Sequence, residues 1–349
     1  MYEGVREITS DVVNVSGMTC KMGPGNGMFD MEIHLHRLLL RTPCRTTDPR
    51  DAHVLYVPVY PNKYACDVAI RTNGTYHIDV YRRAFTIGTF DHPVVYLIPF
   101  KLALDAVRKQ PHWARHQGRD HVFTVTHGFA YDALPVDVRN HSILLLSHGN
   151  RYIGFNESRH VIIPPSLTRH ALDAGQPSNQ LRPWSERPLL ASFKGVIRPY
   201  WKHSFGIRQL WADLYEHSRD ILIENDRDSD YARAIDAVFC LCPPGFYAWT
   251  PRPIEALFYG CIPVVVGEEL ILPFDSVLPW PDLAVHIPFD DAVRLELILR
   301  QIPPDTRTAM QLAGRSVLPQ LSFDPDYEPH PGDITSALLA SISKLQLHR

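Results

Sequence analysis

Short, fully apolar segments alternate with segments of helical periodicity along most of this chain. The apolar segments, typical of buried strands, span 53–60, 121–128, 142–150, 161–166, 189–195, 220–226, 237–243, 261–267 and 284–288. The segments with helical spacing span 28–41, 205–217, 231–238, 250–260 and 291–302. Strands that are apolar throughout and alternate with helices predict parallel sheets covered on both faces. The chain is therefore predicted to be an α/β protein, in which 94–107 fits either a strand or a helix.

A proline-rich polar stretch at 171–188 separates two such sets of strands and helices. We interpret it as a linker and predict an N-terminal domain over 1–183 and a C-terminal domain over 184–349. Two open parallel sheets that face each other leave a cleft at the carboxyl ends of their strands, where ligands bind in this architecture.

Charge and hydropathy argue against a general nucleic-acid binder and against a membrane-spanning helix. The net charge of the 349 residues is -3 and no run of Lys and Arg occurs, which disfavours a general nucleic-acid binder. No stretch reaches the ~20 apolar residues that a membrane span needs. The N-terminus also lacks the basic-then-apolar layout of a signal peptide.

The six cysteines fall into two groups. Cys20, Cys44 and Cys66 lie in loop-like sequence, and we expect that a disulfide can form among them. The other three, Cys240, Cys242 and Cys261, lie in strand-like segments and are interpreted as small buried thiols. No pair has the spacing of a zinc site.

The stretch FCLCPPGFYAWTPRPIEALFYGCIPVVVG, at 239–267, places the start of a helix at the carboxyl end of a strand. Thr250 is a suitable N-cap and Pro251 fits the first helical turn. The free N–H groups there favour an anion, to which Arg252 adds a forked donor suited to phosphate. Glu255, one turn later, can accept hydrogen bonds from sugar hydroxyls. This pattern predicts a nucleoside diphosphate site; the alternative is a surface i,i+3 pair of Arg252 and Glu255.

A second arginine favours the nucleotide interpretation. Arg208 begins the helix that follows the first C-terminal strand, so it too is predicted to lie at a strand carboxyl end.

The same stretch resembles the hallmark of the exostosin-like glycosyltransferases of family 47. The matching elements are FCLCPPG, an arginine followed three residues later by Glu-Ala, GCIPV, LPF and a tryptophan. MFDMEIHLHRLLL, DAHVLYVPVY, GRDHVF and VIIPP match more loosely, so that the resemblance covers about 18–340. The segments CLCP and WTPRPIEA are most similar to the plant xylan-backbone branch.

This resemblance implies two facing Rossmann-like domains, the type B glycosyltransferase fold. It also implies a UDP-sugar donor, inversion at the anomeric carbon, and no bound metal or other cofactor. Carried over by position, Arg252 and Glu255 contact the donor, Arg208 is a phosphate partner, and Cys240 matches the first hallmark cysteine. Developing charge on the departing UDP would then be stabilised by arginines and a helix start.

Inversion in a single displacement needs a base for the acceptor hydroxyl. His127 ends the strand 121–128 and is our candidate, with Asp120 as the second choice; a structural role is the alternative for each. The family usually has His-Asp where this chain has His127-Gly128.

Two further patterns have competing interpretations. DRDSD at 226–230 fits a metal site or a solvated turn, and its position between a strand and a helix favours the turn. Trp113 and Arg115 fit an acceptor groove, whereas a core contact is equally consistent for Trp113.

The resemblance further implies an enzyme of the Golgi lumen that builds cell-wall or matrix glycans, with an oligosaccharide or polysaccharide acceptor and sometimes a partner subunit. Xylose is the first choice of sugar; glucuronic acid, galactose and arabinose stay open. A catalytically silent partner subunit is the alternative, whereas a dinucleotide enzyme is disfavoured because no G-x-G-x-x-G follows an early strand. Family members open with a strand that is not recognisable here, so we expect a first sheet that lacks it.

Overall fold

In a computed structural model, the chain folds around two parallel β-sheets. The structure describes residues 30–62, 64, 94–149, 154–166, 182–198, 204–225, 236–245, 250–267, 270–323 and 329–345. Residues 1–29, in which the family's opening strand is expected to be lacking, and most of the linker lie outside these residues. Of the helix predicted at 231–238, residues 231–235 also lie outside them, whereas Ala237 and Val238 begin a strand instead.

The first sheet has four described strands in the order β1-β2-β3-β4. They are β1 (Leu55–Val57), β2 (His121–Val125), β3 (Ile143–Leu146) and β4 (His160–Ile162). All neighbours run parallel, with Tyr56 opposite Val122 and Leu144 opposite His160. Successive residues of β3 enter two separate apolar clusters, because side chains alternate between the faces of a strand.

The second sheet has the order β6-β5-β7-β8-β9 and is also parallel throughout. Its strands are β5 (Leu189–Lys194), β6 (Ile221–Glu224), β7 (Ala237–Cys242), β8 (Ile262–Val266) and β9 (Val285–Ile287). The chain places β6 on one side of β5 and then β7 on the other, so the strand order reverses between β5 and β7. Ligands of open α/β sheets bind at such switch points, outside the strand carboxyl ends.

Helices cover both sheets, which confirms the predicted α/β architecture. The described helices are α1 (Met31–Arg41), α2 (Val94–Val107), α3 (Pro111–His116), α4 (Gly128–Asp132), α5 (Val136–His141), α6 (Ile207–Leu214), α7 (Arg252–Phe258), α8 (Trp280–Leu283), α9 (Leu295–Gln301), α10 (Pro304–Ser316), α11 (Leu318–Leu321) and α12 (Ile334–Lys344). The ambiguous segment 94–107 is thus a helix, α2, despite Pro99 within it.

The carboxyl ends of the two sheets approach each other through the chain that follows β8. Ile271 donates its backbone N–H to the carbonyl of Gly149, just beyond β3, at 3.2 Å. Phe274 does the same to Ile162, the last residue of β4, at 2.8 Å. Ile271 is five residues beyond Val266, where β8 ends, so their Cα atoms are at most ~18 Å apart. The carboxyl edges of the two sheets therefore lie close together at this point, and the space between them is called the cleft below.

The C-terminal helix α12 joins the core of the first sheet. Its Leu338 and Ile342 belong to the same buried apolar cluster as Val122 and Leu145 of that sheet. The predicted domain boundary between residues 183 and 184 stays a prediction. Helix α12 belongs to the predicted C-terminal domain in sequence but packs on the sheet of the N-terminal one.

Candidate active site

Arg208 spans the switch point of the second sheet. Its side chain is 4% exposed. Nη1 donates to the carbonyl of Val196, which follows β5, at 2.8 Å, and Nη2 approaches the carbonyl of Pro243, which follows β7, at 3.5 Å. The guanidinium is therefore held over the gap between the carboxyl ends of β5 and β7.

Arg252 approaches the same point from the start of α7. Its Nη2 and Nε donate to the carbonyl of Lys194, at the end of β5, at 2.9 and 3.3 Å. Nη1 donates to the hydroxyl of Thr250 at 3.3 Å. A Cβ at position 195 would collide with Nη2, so Gly195 is needed for this close approach. A guanidinium has five N–H donors, and these contacts leave donors for an incoming anion.

One aromatic ring supports both guanidinium groups. The Cζ of Arg208 lies 5.1 Å from the ring centroid of Phe193, and that of Arg252 lies 4.9 Å from it. The two Cζ atoms are therefore at most about 10 Å apart. Stacking on a ring is a favourable geometry for arginine. The structure thus brings together the two arginines predicted from the sequence, and they share Phe193, a supporting residue that no sequence motif indicates.

The start of α7 differs by one residue from the prediction. Pro251 occupies the cap position and the helix begins at Arg252, with Pro253 also in the first turn. The hydroxyl of Thr250 accepts from the backbone N–H of Arg252 at 3.4 Å. Thr250 therefore contacts both the backbone and the side chain of Arg252, and it positions that arginine rather than capping the helix in the predicted register.

Glu255 lies one turn further along α7 and is not a surface ion-pair partner. Its Oε2 is buried and accepts no hydrogen bond from the part of the chain that the structure describes. Burial raises the pKa of this carboxyl, and the positive charge of Arg252 opposes that shift. A buried carboxylate oxygen without a donor is costly unless a ligand supplies one.

A disulfide between Cys240 and Cys261 ties β7 to the residue before β8, with a sequence separation of 21. The interpretation of these two as buried thiols is therefore wrong, because the parallel pairing of β7 and β8 brings their Cα atoms to 5.6 Å. Cys242 is a free buried thiol, as expected, and Cys44 is free and exposed, whereas Cys20 and Cys66 lie outside the described residues. The disulfide of Cys240 therefore closes a loop that contains α7.

Replacing Cys240 and Cys261 together by serine is expected to lower the free energy of unfolding by about 3 kcal/mol, since the link constrains a loop of this length in the unfolded chain. Urea unfolding of the oxidised protein measures the change. Cys44→Ser is the control and should leave the stability unchanged. A double variant as stable as the wild type would show that this link does not hold the unit together.

His127 lies two residues beyond the end of β2, at the carboxyl edge of the first sheet. Its carbonyl accepts from the backbone N–H groups of Ala130 and Tyr131, at 2.9 and 3.1 Å, and so begins α4. The side chain is partly exposed. Its candidacy as base stays a prediction.

Asp120 lies at the opposite, amino-terminal edge of that sheet. The prediction of Asp120 as the second-choice base is therefore wrong. It precedes β2 and pairs with Arg115 and with Nδ1 of His121, each at 2.8 Å. Burial alone would raise its pKa, but the bonds from His121 and Arg115 outweigh it and lower the pKa to about 2. The five residues of β2 span roughly 17 Å, which puts Asp120 out of reach of the cleft.

Trp113 and Arg115 share that remote edge, so they do not line an acceptor groove in the cleft. The ring of Trp113 packs edge-on against His121 with centroids 4.9 Å apart, and a Cβ on Gly118 would overlap it. Trp113 makes a core contact. Among the described residues no group of three or more metal-ligating side chains occurs; the DRDSD segment lies outside them.

With this geometry established, comparison with known proteins defines the family. The Exostosin GT47 domain matches residues 1–302. The chain belongs to the exostosin family. Its relatives include a probable glucuronoxylan glucuronosyltransferase of Arabidopsis thaliana, 30% identical over 91% of this chain and 71% of that one. A probable beta-1,4-xylosyltransferase of the same plant is 28% identical over 93% and 76%.

A probable glucuronosyltransferase of Oryza sativa subsp. japonica is 28% identical over 87% of this exostosin-family chain and 72% of its own length. A solved UDP-N-acetylglucosamine 2-epimerase gives a TM-score of 0.28 at 12% identity over 63% of this chain and 68% of that one, a likeness too weak to define the site. No helix in the described part of the chain is long and apolar enough to cross a membrane.

Proposed function

We propose that this exostosin-family glycosyltransferase transfers a sugar from a UDP-sugar to a glycan acceptor with inversion and without a metal ion. The observation that carries the proposal is the pair of guanidinium groups stacked on Phe193 at the switch point between β5 and β7. A diphosphate in the cleft would receive charge-assisted hydrogen bonds from both. The UDP that departs gains negative charge, so the same donors stabilise it most in the transition state.

Glu255 supplies the second part of the donor site. Its buried Oε2 lies one turn from Arg252 and has no hydrogen-bond partner among the described residues. The ribose or the transferred sugar has hydroxyl groups that donate to such an oxygen. The bound donor would thereby satisfy an acceptor that the described residues leave open.

The chemical step is a single displacement. His127 takes the proton of an acceptor hydroxyl as the oxygen forms its bond to the anomeric carbon. The bond from that carbon to the β-phosphate oxygen breaks, and UDP leaves with the electron pair. The support for this role is that His127 follows β2 at the carboxyl edge of the first sheet, while the two arginines lie at the carboxyl edge of the second.

Xylose is the sugar we propose first, with a xylan-like acceptor. The support is the resemblance of the hallmark segment to the xylan-backbone branch and the family relation to a probable beta-1,4-xylosyltransferase. Glucuronic acid comes second, from the probable glucuronosyltransferases among the relatives. The disulfide between Cys240 and Cys261 supports a place in the oxidising secretory pathway, and we propose the Golgi lumen.

A UDP-release assay tests the proposal across UDP-xylose, UDP-glucuronic acid, UDP-galactose and UDP-arabinose, each with and without xylo-oligosaccharide, in excess EDTA. We expect acceptor-dependent release that is fastest with UDP-xylose. Release that requires added metal, or no release from any donor, would contradict the proposal.

A catalytically silent partner subunit is the second candidate. It is favoured by one observation, Gly128 in the place where the family usually has an aspartate after the histidine. Such a subunit would bind UDP weakly or fail to turn over in the same assay.

A further inference from the structure

Phe205 is an aromatic side chain displayed at the cleft edge of the second sheet. It is 45% exposed, and it is the one aromatic residue among the exposed large apolar side chains of the described ranges. It lies three residues before Arg208, in a short turn at the entrance to α6. That turn is fixed to the helix, since the hydroxyl of Ser204 accepts from the backbone N–H of Arg208 at 3.3 Å.

The backbone holds this ring outward in an unfavourable conformation. Ser204 and Phe205 have φ angles of 65° and 52°, the left-handed region that residues with a side chain rarely adopt. Such strain persists only where the surroundings fix it, and it concentrates at ligand-binding segments.

A second ring backs Phe205. The centroid of Phe289, which follows β9, lies 5.5 Å from that of Phe205. Phe289 itself packs over Gly267, just beyond β8, where a Cβ would lie 2.6 Å from the ring. Phe205 is thus anchored above the carboxyl ends of β8 and β9, at the same edge of the sheet as Arg208 and Arg252.

We propose that Phe205, backed by Phe289, stacks on the nucleobase of the nucleoside diphosphate whose phosphates lie on Arg208 and Arg252. This inference rests on the proposed function. A flat apolar face at the same sheet edge as two guanidinium groups matches a molecule with a planar base at one end and a diphosphate at the other. Every base has a π-face, and its stacking on an aromatic side chain contributes substantially to affinity. Phe205 would therefore determine affinity for the nucleoside, while the arginines bind the diphosphate.

Titration calorimetry with two probes, UDP and inorganic pyrophosphate, separates the two subsites. Phe205→Ala is expected to raise the Kd for UDP by roughly tenfold or more while leaving the Kd for pyrophosphate within twofold of the wild type. Phe205→Tyr, which keeps the ring, should bind UDP like the wild type. Leu214→Ala is the matched control, because Leu214 is 49% exposed at the end of α6, the helix that follows Phe205.

Thermal melting checks that each variant is folded, and Phe205→Leu replaces Phe205→Ala if the alanine variant is not. Unchanged UDP affinity in the folded variant, with or without a raised KM for the acceptor, would overturn the inference and leave the donor site intact. A wild-type protein that binds neither probe would instead overturn the proposed function on which the inference depends.

Discussion

Arg252→Ala is expected to weaken UDP binding by about 30-fold or more and to abolish sugar transfer. Removing a partly buried hydrogen-bonded charge costs roughly 2–5 kcal/mol, and each 1.4 kcal/mol is tenfold in Kd. The loss includes the contacts of Arg252 with Lys194 and Thr250, which keep the start of α7 at the switch point. Titration calorimetry with UDP in EDTA measures the effect.

Two controls separate charge from packing in this experiment. Arg252→Lys keeps the charge without the fork and should recover only part of the affinity. Arg307 stacks on Trp184 and Phe239, at 5.1 and 5.5 Å, in the same half of the protein but away from the switch point. Arg307→Ala should therefore reduce stability and spare UDP binding. Near wild-type affinity in Arg252→Ala would show that the diphosphate binds elsewhere.

His127→Ala is expected to reduce transfer by 10²–10⁴-fold, the usual contribution of a positioned base, while UDP affinity stays within about twofold. The reason is that His127 belongs to the first sheet, whereas the proposed contacts to UDP belong to the second. Acceptor-dependent UDP release and UDP calorimetry on one protein preparation give the two quantities.

Asp120→Asn is the matched control for this second variant, because Asp120 is a polar residue of the same strand connection at the remote edge. It should retain transfer and lose stability, since its carboxylate holds Arg115 and His121. Full sugar transfer by His127→Ala would show that another residue acts as the base.

The inner strands β2, β3, β7 and β8 were predictable because they are almost wholly buried on both faces and so are largely apolar. For example, 237–243 was predicted and β7 spans Ala237–Cys242. The helix α12 gave no comparable signal, because its sequence ITSALLASISK mixes serines with apolar residues; it is stabilised by packing on the first sheet and by the Asp333 side chain, which accepts from the Ser336 N–H at 2.9 Å.

The residues of the candidate site also fall into those that sequence patterns predict and those that they do not. Arg252 and Glu255 were identified because their helix has recognisable prolines at its start, and Arg208 because it opens the helix after a strand. Phe193 and the Cys240–Cys261 link depend on which strands are neighbours, and sequence patterns do not give strand order. The prediction for Asp120 was wrong for a related reason. Asp120 is only seven residues before His127 in the sequence, but β2 lies between them, so the two residues are at opposite ends of a strand.

The most direct measurement is a crystal structure of the protein with UDP grown in EDTA. We expect the diphosphate oxygens to lie within hydrogen-bonding distance of the guanidinium groups of both Arg208 and Arg252, over the ring of Phe193. A diphosphate bound away from the junction of β5 and β7, or one that contacts neither guanidinium, would contradict the proposed donor site.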